Sequence, residues 1–241
     1  MNIALIGYGK MGKAIEEIAL QKGHSIVLKI DDQNLSELTV PNIRKADVAI
    51  EFTTPDSAPK NILLCFDAGI PVVCGTTGWL GELNEVEGKC REKNGAFLYA
   101  SNFSIGVNIF FELNKKLAAM MSRLPDYDVS IEETHHTQKK DAPSGTAITL
   151  AEQIIQNSKL KNKWSLASGQ KEPGKEELAI TSKRIDPAAG THSVKYTSSV
   201  DDIEIIHTAH NRKGFAAGAL LAAEFLAGKK GIFTMKDVLN F

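Results

Sequence analysis

Cysteine is scarce in this 241-residue chain, and no apolar run is long enough to cross a membrane. The three cysteines, Cys65, Cys74 and Cys90, are odd in number and show no metal-ligand spacing. We therefore expect buried thiols in a reducing compartment rather than a disulfide framework or a zinc site. A membrane helix would need roughly 18 consecutive apolar residues. The first residues also lack the basic region and long apolar core of a signal peptide, so we expect a cytoplasmic protein.

Neither sign of charge is in excess. Lys and Arg number 28, Asp and Glu number 29, and the formal net charge is −1. This balance gives no general attraction to nucleic acid or to an anionic membrane, so neither partner is expected, and an anionic ligand must be met by a local cluster. The composition, 43% hydrophobic and 24% charged, excludes a disordered chain and fits one large or two modest globular domains.

The first hundred residues alternate strand patterns with helix patterns. Apolar strands are predicted at 2–6, 25–30, 47–52 and 71–74, and residues 11–19 carry an apolar stripe at helical spacing. Strands that alternate with helices predict an α/β domain with a Rossmann-like parallel sheet.

A different pattern follows residue 102. A helix is predicted at 109–121, and strands cluster at 127–133, 178–185 and 192–209. Clustered strands indicate a second domain of the α+β class with a mixed sheet. The polar segment 159–177, which contains Gly169 and Pro173, is predicted to be an exposed loop.

A glycine-rich loop joins the first strand to the first helix. Its sequence is Gly7-Tyr8-Gly9-Lys10-Met11-Gly12, the G-x-G-x-x-G pattern in the strand-loop-helix context that a dinucleotide fingerprint requires. Glycine permits the tight turn and the close approach of the backbone to a pyrophosphate, and the helix start supplies N–H groups and a positive dipole end. The alternative is a glycine-rich turn without a ligand.

An acid that binds ribose is expected about 20 residues beyond such a loop. Asp31 and Asp32 end the second predicted strand and occupy that place. A carboxylate there accepts hydrogen bonds from the ribose hydroxyl of NADH and repels the 2′-phosphate of NADPH, so the sequence favours NADH. Lys10 is the one nearby cation that would help NADPH, or it is a solvated surface lysine.

Further polar turns follow the other predicted strands. They are Phe52-Thr53-Thr54-Pro55, Cys74-Gly75-Thr76-Thr77-Gly78 and Ser101-Asn102-Phe103-Ser104. Ligands of open parallel sheets lie at the carboxyl ends of the strands, so Thr76 and Thr77 are expected on the nicotinamide side. The alternative for each turn is an ordinary helix cap by Ser or Thr.

The densest chemistry in the chain lies between Glu132 and Thr146. Ser144 or one of its neighbours is expected to cap a following helix, so that the N–H groups of Gly145 and Thr146 point at open space and bind an anion. The cluster also holds His135, a residue type that titrates near neutrality, and Lys139, a residue type that binds anionic groups. The alternative is a charged surface loop. A metal site is not expected, because adjacent histidines on a strand point to opposite faces.

The chain resembles the dihydrodipicolinate reductase (4-hydroxy-tetrahydrodipicolinate reductase) family along nearly its whole length. The most specific part is His135-His136-x-x-Lys139-x-Asp141-Ala142-Pro143-Ser144-Gly145-Thr146-Ala147. The segments 74–78 and 102–108, and the closing segment from Asn211-Arg212 to Val238-Leu239, occur in the same order.

The resemblance implies a dinucleotide-binding domain at 1–103 and a substrate-binding and oligomerisation domain at 104–212, with a C-terminal helix at 213–241 that returns to the first domain. It implies a homotetramer and reduction of a cyclic imine dicarboxylate by NAD(P)H with loss of water, in the diaminopimelate route of lysine biosynthesis. It assigns proton transfer to His135 and Lys139 and substrate binding to His136, Ser144, Gly145 and Thr146. The implied cofactor contacts are Gly7, Tyr8, Gly9, Lys10, Met11, Gly12, Asp31, Gly75, Thr76, Thr77, Ala100, Ser101, Asn102 and Phe103.

The sequence departs from the family pattern at a few places. Many members carry an Arg-His pair where this chain has Thr137-Gln138, which removes local positive charge, and Glu51 stands where Asp is common. The first glycine loop is one residue shorter than in many members.

Two other functions compete with this interpretation. Another small dehydrogenase on the same scaffold would lack the 135–147 string. A nucleotide-sensing regulator would need a basic DNA-reading domain, which the charge balance does not support.

Overall fold

The computed structural model describes residues 1–167, 174–211 and 213–241. The chain divides into two compact units, Met1–Ile105 with Lys213–Phe241, and Gly106–Arg212. Gly169, Pro173 and Arg212, named above in a loop prediction and a family motif, lie outside the described residues.

The first unit alternates strands and helices as predicted, and a short 3-10 helix follows the second strand and the fourth strand. In chain order its first part contains β1 (Asn2–Ile6), α1 (Lys10–Gln21), β2 (Ser25–Ile30), α2 (Val40–Ile43), β3 (Val48–Glu51), α3 (Ala58–Ala68), β4 (Val72–Cys74), α4 (Leu83–Glu92) and β5 (Ala96–Tyr99).

The second unit is built from two helices and five strands in the part of the chain that is described. It contains α5 (Ile105–Met121), β6 (Asp128–His135), α6 (Gly145–Asn157), β7 (Lys163–Leu166), β8 (Glu177–Arg184), β9 (Gly190–Thr197) and β10 (Asp202–Ala209). The chain then completes the first unit with α7 (Lys213–Leu226), β11 (Gly231–Phe233) and α8 (Met235–Leu239).

The sheet of the first unit is parallel in every pairing, in the order β11-β5-β4-β3-β1-β2. Apart from Glu51 at the end of β3, its central strands are apolar on both faces, because both faces are covered by helices. Ile3 and Leu5 of β1 join a core with α1 and α7, whereas Ala4 and Ile6 join the opposite core with α3 and α4. The predicted Rossmann-like parallel sheet is confirmed.

The second unit contains a mixed five-stranded sheet in the order β10-β9-β6-β8-β7. β8 pairs in parallel with β6 and β7, whereas β9 is antiparallel to β6 and β10. Helices α5 and α6 bury their apolar residues against one face of this sheet, among them Phe110, Leu150 and Ile154 against Ile131 and Ile180. The predicted mixed sheet is therefore confirmed.

Three predicted boundaries are wrong. The segment 192–209, predicted as strand, forms the antiparallel strands β9 and β10, because the chain turns between Ser198 and Asp201. The segment 159–177, expected to be a loop, contains strand β7 at Lys163–Leu166. This strand is short and lies at the sheet edge, and Lys163 and Ser165 alternate with Trp164 and Leu166 over only four residues, too few to be recognised in the sequence. The helix expected at 109–121 begins at Ile105, because Gly106 and Asn108, which suggest a turn, are helical here.

None of the helices in the described part of the chain is long and apolar enough to span a membrane.

Helix α7 approaches the chain after β5 closely enough to require glycine. A Cβ atom at Gly218 would lie 1.7 Å from the carbonyl oxygen of Phe103, whereas one at Gly214 of the same helix would find its nearest neighbour, Ser104 Oγ, at 3.9 Å. We expect Gly218→Ala to lower the free energy of unfolding by about 3 kcal/mol, because the helix must shift away from the backbone it contacts. Urea denaturation followed by circular dichroism measures this change.

The matched control is Gly214→Ala, which we expect to leave stability unchanged or raise it by about 0.5–1 kcal/mol through helix propensity. Equal effects of the two substitutions would contradict the close-packing argument.

Candidate active site

The glycine loop is shaped by contacts of the backbone with itself. Gly7 has φ of +97°, and a Cβ atom there would lie 1.9 Å from the Phe52 carbonyl oxygen. A Cβ atom at Gly12 would lie 2.4 Å from the Gly7 carbonyl oxygen. Gly9, in contrast, would place its Cβ atom where no atom lies within 4 Å. The outer two glycines therefore close the turn, and the middle one faces open space.

Helix α1 begins at Lys10, directly after this loop, and no side chain of the described residues caps its start. The N–H groups of Gly7 and Tyr8 donate to the Ile30 carbonyl at 3.0 and 2.8 Å, so they are already used. The N–H groups of the first helical turn, at Lys10 and Met11, have no acceptor within the helix. They and the helix dipole suit a pyrophosphate.

Asp31 follows β2, which pairs with β1, so the acid lies on the same sheet edge as the glycine loop. It is partly buried, and its Oδ1 accepts a hydrogen bond from the Gln33 N–H at 2.9 Å. Its own N–H donates to Asn34 Oδ1 at 2.9 Å. This local turn fixes the carboxylate, whereas Asp32 is exposed to solvent.

A pocket of about 520 Å³ joins the glycine loop to two of the predicted polar turns. Its wall is formed by the start of α1, the residues after β3 and the residues after β4, namely Gly9, Lys10, Met11, Phe52, Thr53, Pro55, Gly75, Thr76 and Thr77. A Cβ atom at Gly75 would lie 2.1 Å from the Phe52 ring, so glycine is required for this packing. The residues present therefore fit a nucleotide.

The remaining predicted cofactor contacts lie elsewhere in the unit. Tyr8 donates a hydrogen bond to Glu16, which raises the pKa of the Tyr8 hydroxyl. Ala100 and Phe103 are buried in the core, and the Phe103 ring lies 5.8 Å from that of Phe52. Ser101 is exposed, and Asn102 accepts a hydrogen bond from the Ser104 N–H. None of these five residues is among those that line the pocket described above.

In the second unit, the alternation of β6 places Glu133 and His135 on one buried face. Glu133 is completely buried, and both its carboxylate oxygens accept from the Ser144 N–H, at 3.2 and 3.0 Å. Oε1 also accepts from Ser182 Oγ at 2.8 Å and from Arg184 at 3.3 Å. Burial by itself would raise the pKa of Glu133, but the contacts from His192, Ser144 and Ser182 hold it well below its usual range. Glu133 is therefore a carboxylate.

His135 lies beside this carboxylate, with Nδ1 3.7 Å from Glu133 Oε2, and only 8% of the residue is exposed. Its ring meets that of His192 edge-on at 5.0 Å. Burial, together with the adjacent His192, lowers the pKa of His135 to about 4, so the free protein holds a neutral ring at pH 7. A Cβ atom at Gly190 would lie 3.1 Å from His135 Nε2, so the glycine leaves room for the ring.

His192 lies opposite Glu133 on the neighbouring strand β9. Its Nε2 contacts Ser144 Oγ at 3.0 Å, and the same Oγ accepts from the Ala147 N–H at 3.3 Å as the cap of α6. The predicted capping role of Ser144 is confirmed. A Cβ atom at Gly145 would meet no atom within 4 Å, so the first turn of α6 opens toward free space.

The loop between β6 and α6 is held by two residues near the end of β8. Arg184 donates to the carbonyl oxygens of Lys139 and Asp141, at 3.3 and 2.6 Å. Asp186 accepts from the N–H and the hydroxyl of Thr137, at 3.1 and 2.6 Å. The Thr137 that replaces the common basic residue therefore anchors this loop. Lys139 Nζ lies 2.8 Å from both carboxylate oxygens of Asp141.

The structure thus brings His135 and Ser144 together with three residues that the sequence analysis did not assign to the site: Glu133, Arg184 and His192. Glu133 ends the strand predicted at 127–133, and the structure extends that strand to His135, which puts both residues on one face. His192 and Arg184 gave no such signal, because only the pairing of β6 with β9 and β8 brings them near. His136 is partly buried, and its Nδ1 has no partner among the described residues.

Glu133, His135 and His192 are also close enough for a metal ion, with candidate ligand atoms within 4.8 Å of one another. The Glu133 oxygens already accept from Ser144, Ser182 and Arg184, and the Arg184 guanidinium would repel a cation. The absence of a metal stays a prediction.

Comparison with known proteins points in one direction. The dihydrodipicolinate reductase N-terminus model matches residues 1–103, and the dihydrodipicolinate reductase C-terminus model matches residues 106–239. A 4-hydroxy-tetrahydrodipicolinate reductase of Christiangramia forsetii is 56% identical over 241 residues, covering 100% of this chain and 98% of the relative. One of Thermosipho africanus is 36% identical over 245 residues, with the same coverage.

The fold is shared with a dipicolinate-bound dihydrodipicolinate reductase from Paenisporosarcina sp. TG-14. The TM-score is 0.78 at 24% identity, and the match covers 97% of each chain. Because family models match nearly the whole chain and relatives align along all of it, the chain belongs to the dihydrodipicolinate reductase family.

Proposed function

We propose that the protein catalyses the NAD(P)H-dependent reduction of (2S,4S)-4-hydroxy-2,3,4,5-tetrahydrodipicolinate to tetrahydrodipicolinate with loss of water, in the diaminopimelate route of lysine biosynthesis. The observation that carries the proposal is the buried Glu133–Ser144–His192 network at the start of α6, with the neutral His135 ring 3.7 Å from Glu133. Two relatives that align with the whole of this chain are named 4-hydroxy-tetrahydrodipicolinate reductase, which supports the same activity.

The nicotinamide cofactor supplies the hydride when it is bound, and the residues of the second unit handle charge and protons. The N–H groups of Gly145 and Thr146 at the start of α6 bind one substrate carboxylate. Lys139 leaves Asp141 to meet an anionic group of the substrate and serves as a second proton donor. His135 transfers a proton, and Glu133 and His192 lie beside its ring. His136 contributes to the substrate site.

One assay tests this function directly. The substrate is generated in situ by the synthase that precedes this step, and oxidation of NADH or NADPH is followed by absorbance. We expect oxidation that depends on the presence of the synthase and its substrates. If neither NADH nor NADPH is oxidised in a mixture that contains the protein, the active synthase and the substrates of the synthase, the proposal is overturned.

NADH is the cofactor we propose to be favoured, because Asp31 is fixed at the end of β2 and no Arg stands beside it in the sequence. We expect kcat/KM for NADH to equal or exceed that for NADPH. Asp31→Ala should narrow the advantage of NADH by about 1–2 kcal/mol, the scale of one or two charged hydrogen bonds. Steady-state kinetics with both cofactors measure this. A kcat/KM tenfold higher for NADPH in the unmodified protein would contradict the assignment.

Substitution of His135 tests its role in proton transfer. We expect His135→Gln, which keeps a polar side chain of similar size, to lower kcat by roughly 10²–10⁴. Affinity for NADH, measured by fluorescence titration, should change little, because the nucleotide contacts belong to the other unit. A kcat close to that of the unmodified enzyme would show that His135 does not move the proton.

The depressed pKa of His135 gives a second test of the same residue. A neutral ring at pH 7 gains a proton when a dicarboxylate binds, because nearby negative charge raises the pKa of a histidine. We expect dipicolinate to bind with net uptake of protons near pH 6. Calorimetry in buffers of different ionisation enthalpy measures this uptake, and His135→Gln should abolish it. Uptake that persists in the variant would assign the proton to another group.

Two further substitutions locate the carboxylates of the ligand. We expect Lys139→Ala to weaken dipicolinate binding about ten- to a hundredfold, the effect of losing one charged hydrogen bond. Gly145→Val should also weaken it, because the new side chain fills the open space at the start of α6 without removing a titrating group. Calorimetry with dipicolinate and NADH measures both. Unchanged affinity in the two variants would place the carboxylates elsewhere.

The homotetramer and the cytoplasmic location stay predictions. The exposed edge strand β10, which carries Ile203 and Ile206 toward solvent, supports an assembly through this sheet.

A further inference from the structure

Glu51, the last residue of β3, is a completely buried acid that the proposed mechanism does not use. In the described part of the chain no Lys, Arg or His lies within ion-pair distance of it. A buried carboxylate without a cation is costly unless several hydrogen-bond donors surround it. The hydrogen-bond donors around Glu51 therefore show what this acid contributes at the carboxyl end of β3.

Three donors converge on the two oxygens of Glu51. Thr53 Oγ1 and Asn61 Nδ2 both donate to Oε1, the latter at 3.5 Å, and Cys74 Sγ lies 3.0 Å from Oε2. Burial, together with Glu51 itself, raises the pKa of the Cys74 thiol, so the thiol keeps its proton and donates. Both carboxylate oxygens of Glu51 therefore accept a hydrogen bond. One of the donors to Oε1, Thr53, also lines the pocket.

Thr53 connects this acid to the pocket wall. Its hydroxyl donates to Glu51 and accepts from Asn61 Nδ2 at 3.2 Å, which leaves the side chain one orientation. Its backbone N–H donates to Thr76 Oγ1 at 2.7 Å, and Trp79 Nε1 donates to the Thr76 carbonyl at 2.7 Å. Both threonines line the pocket together with the start of α1.

We propose that Glu51 is a positioning residue for the cofactor: its carboxylate fixes Thr53, and through Thr53 the hydroxyl of Thr76, in the wall of the nucleotide pocket. This inference rests on the proposed function, because it assumes that the pocket holds a nicotinamide nucleotide. Cys74 provides a comparison. It donates to the same carboxylate and does not line the pocket, but its Sγ also lies 3.9 Å from the Thr76 carbonyl oxygen.

The test is a double-mutant cycle on the dissociation constant of NADH, measured by fluorescence titration of the full-length protein without substrate. We expect Glu51→Ala to raise this constant about five- to tenfold, the effect of releasing one or two hydrogen bonds. In the Thr53→Val background the same substitution should change it less than twofold, because the hydroxyl that Glu51 holds is then gone. An unchanged constant in Glu51→Ala, or equal effects in both backgrounds, would overturn the proposal.

Three variants separate positioning from folding. Glu51→Gln keeps an oxygen that accepts from Thr53, so its constant should stay within about twofold of the unmodified protein. Cys74→Ala should lower the melting temperature and raise the dissociation constant of NADH by less than Glu51→Ala does, because Thr53 and Asn61 still donate to Glu51. If Glu51→Ala does not fold, Asn61→Ala replaces it, with an expected two- to fivefold rise. An unchanged dissociation constant in Asn61→Ala would also overturn the proposal. So would a Cys74→Ala variant that weakens NADH binding as much as Glu51→Ala does.

The cycle also distinguishes this inference from the proposed function. An unmodified protein that binds neither NADH nor NADPH contradicts the function and with it the inference. If the unmodified protein binds NADH and reduces the pathway substrate, but Glu51→Ala binds NADH equally well, only the inference is contradicted.

Discussion

The buried carboxylate of Glu133 is the group on which the arrangement of the second unit depends. A carboxylate removed from water is stable only when donors replace its solvation, and a partly satisfied one costs several kcal/mol. Here the donors come from different elements of the unit, namely Ser144 at the start of α6 and Ser182 and Arg184 on β8. His192 on β9 lies 3.6 Å from the same carboxylate. Meeting the needs of one acid therefore fixes the relative places of a helix start and three strands.

The same contacts fix the surroundings of the groups that are proposed to meet the substrate. Ser144 binds Glu133 through its N–H and caps α6 through its hydroxyl, so the direction of the open helix start is tied to the acid. Arg184 binds Glu133 and also the backbone carrying Lys139, so the position of the lysine is tied to it as well. In the first unit, close contacts that leave no room for a Cβ atom shape the glycine loop at Gly7 and Gly12 and the turn after β4 at Gly75.

The sequence predicted what local pattern encodes. Periods of two and of 3.6 residues gave the parallel sheet and the mixed sheet, and the capping role of Ser144 followed from its place before an apolar helix. Strand β7 was missed because four residues with two polar side chains give no stable alternation. His192 and Arg184 were missed because sheet register, which depends on the whole fold, decides which distant residues face Glu133. Glu51 was noticed only as a departure from a family pattern, since its burial is a property of the packed sheet.

A carboxylate beside a histidine ordinarily raises the pKa of the ring, yet the pKa of His135 is low. Burial and the adjacent His192 act against the charged ring, and Lys139 and Arg184 add to their effect, so the single negative charge of Glu133 is outweighed. Arg184 already pairs with that charge. On the proposed function, the missing negative charge arrives with the substrate, whose two carboxylates engage Lys139 and the start of α6. The ring then becomes charged only when a dicarboxylate is present to receive its proton. On the proposed function, binding and protonation are therefore coupled by electrostatics, since the charge of Glu133 is already paired with Arg184.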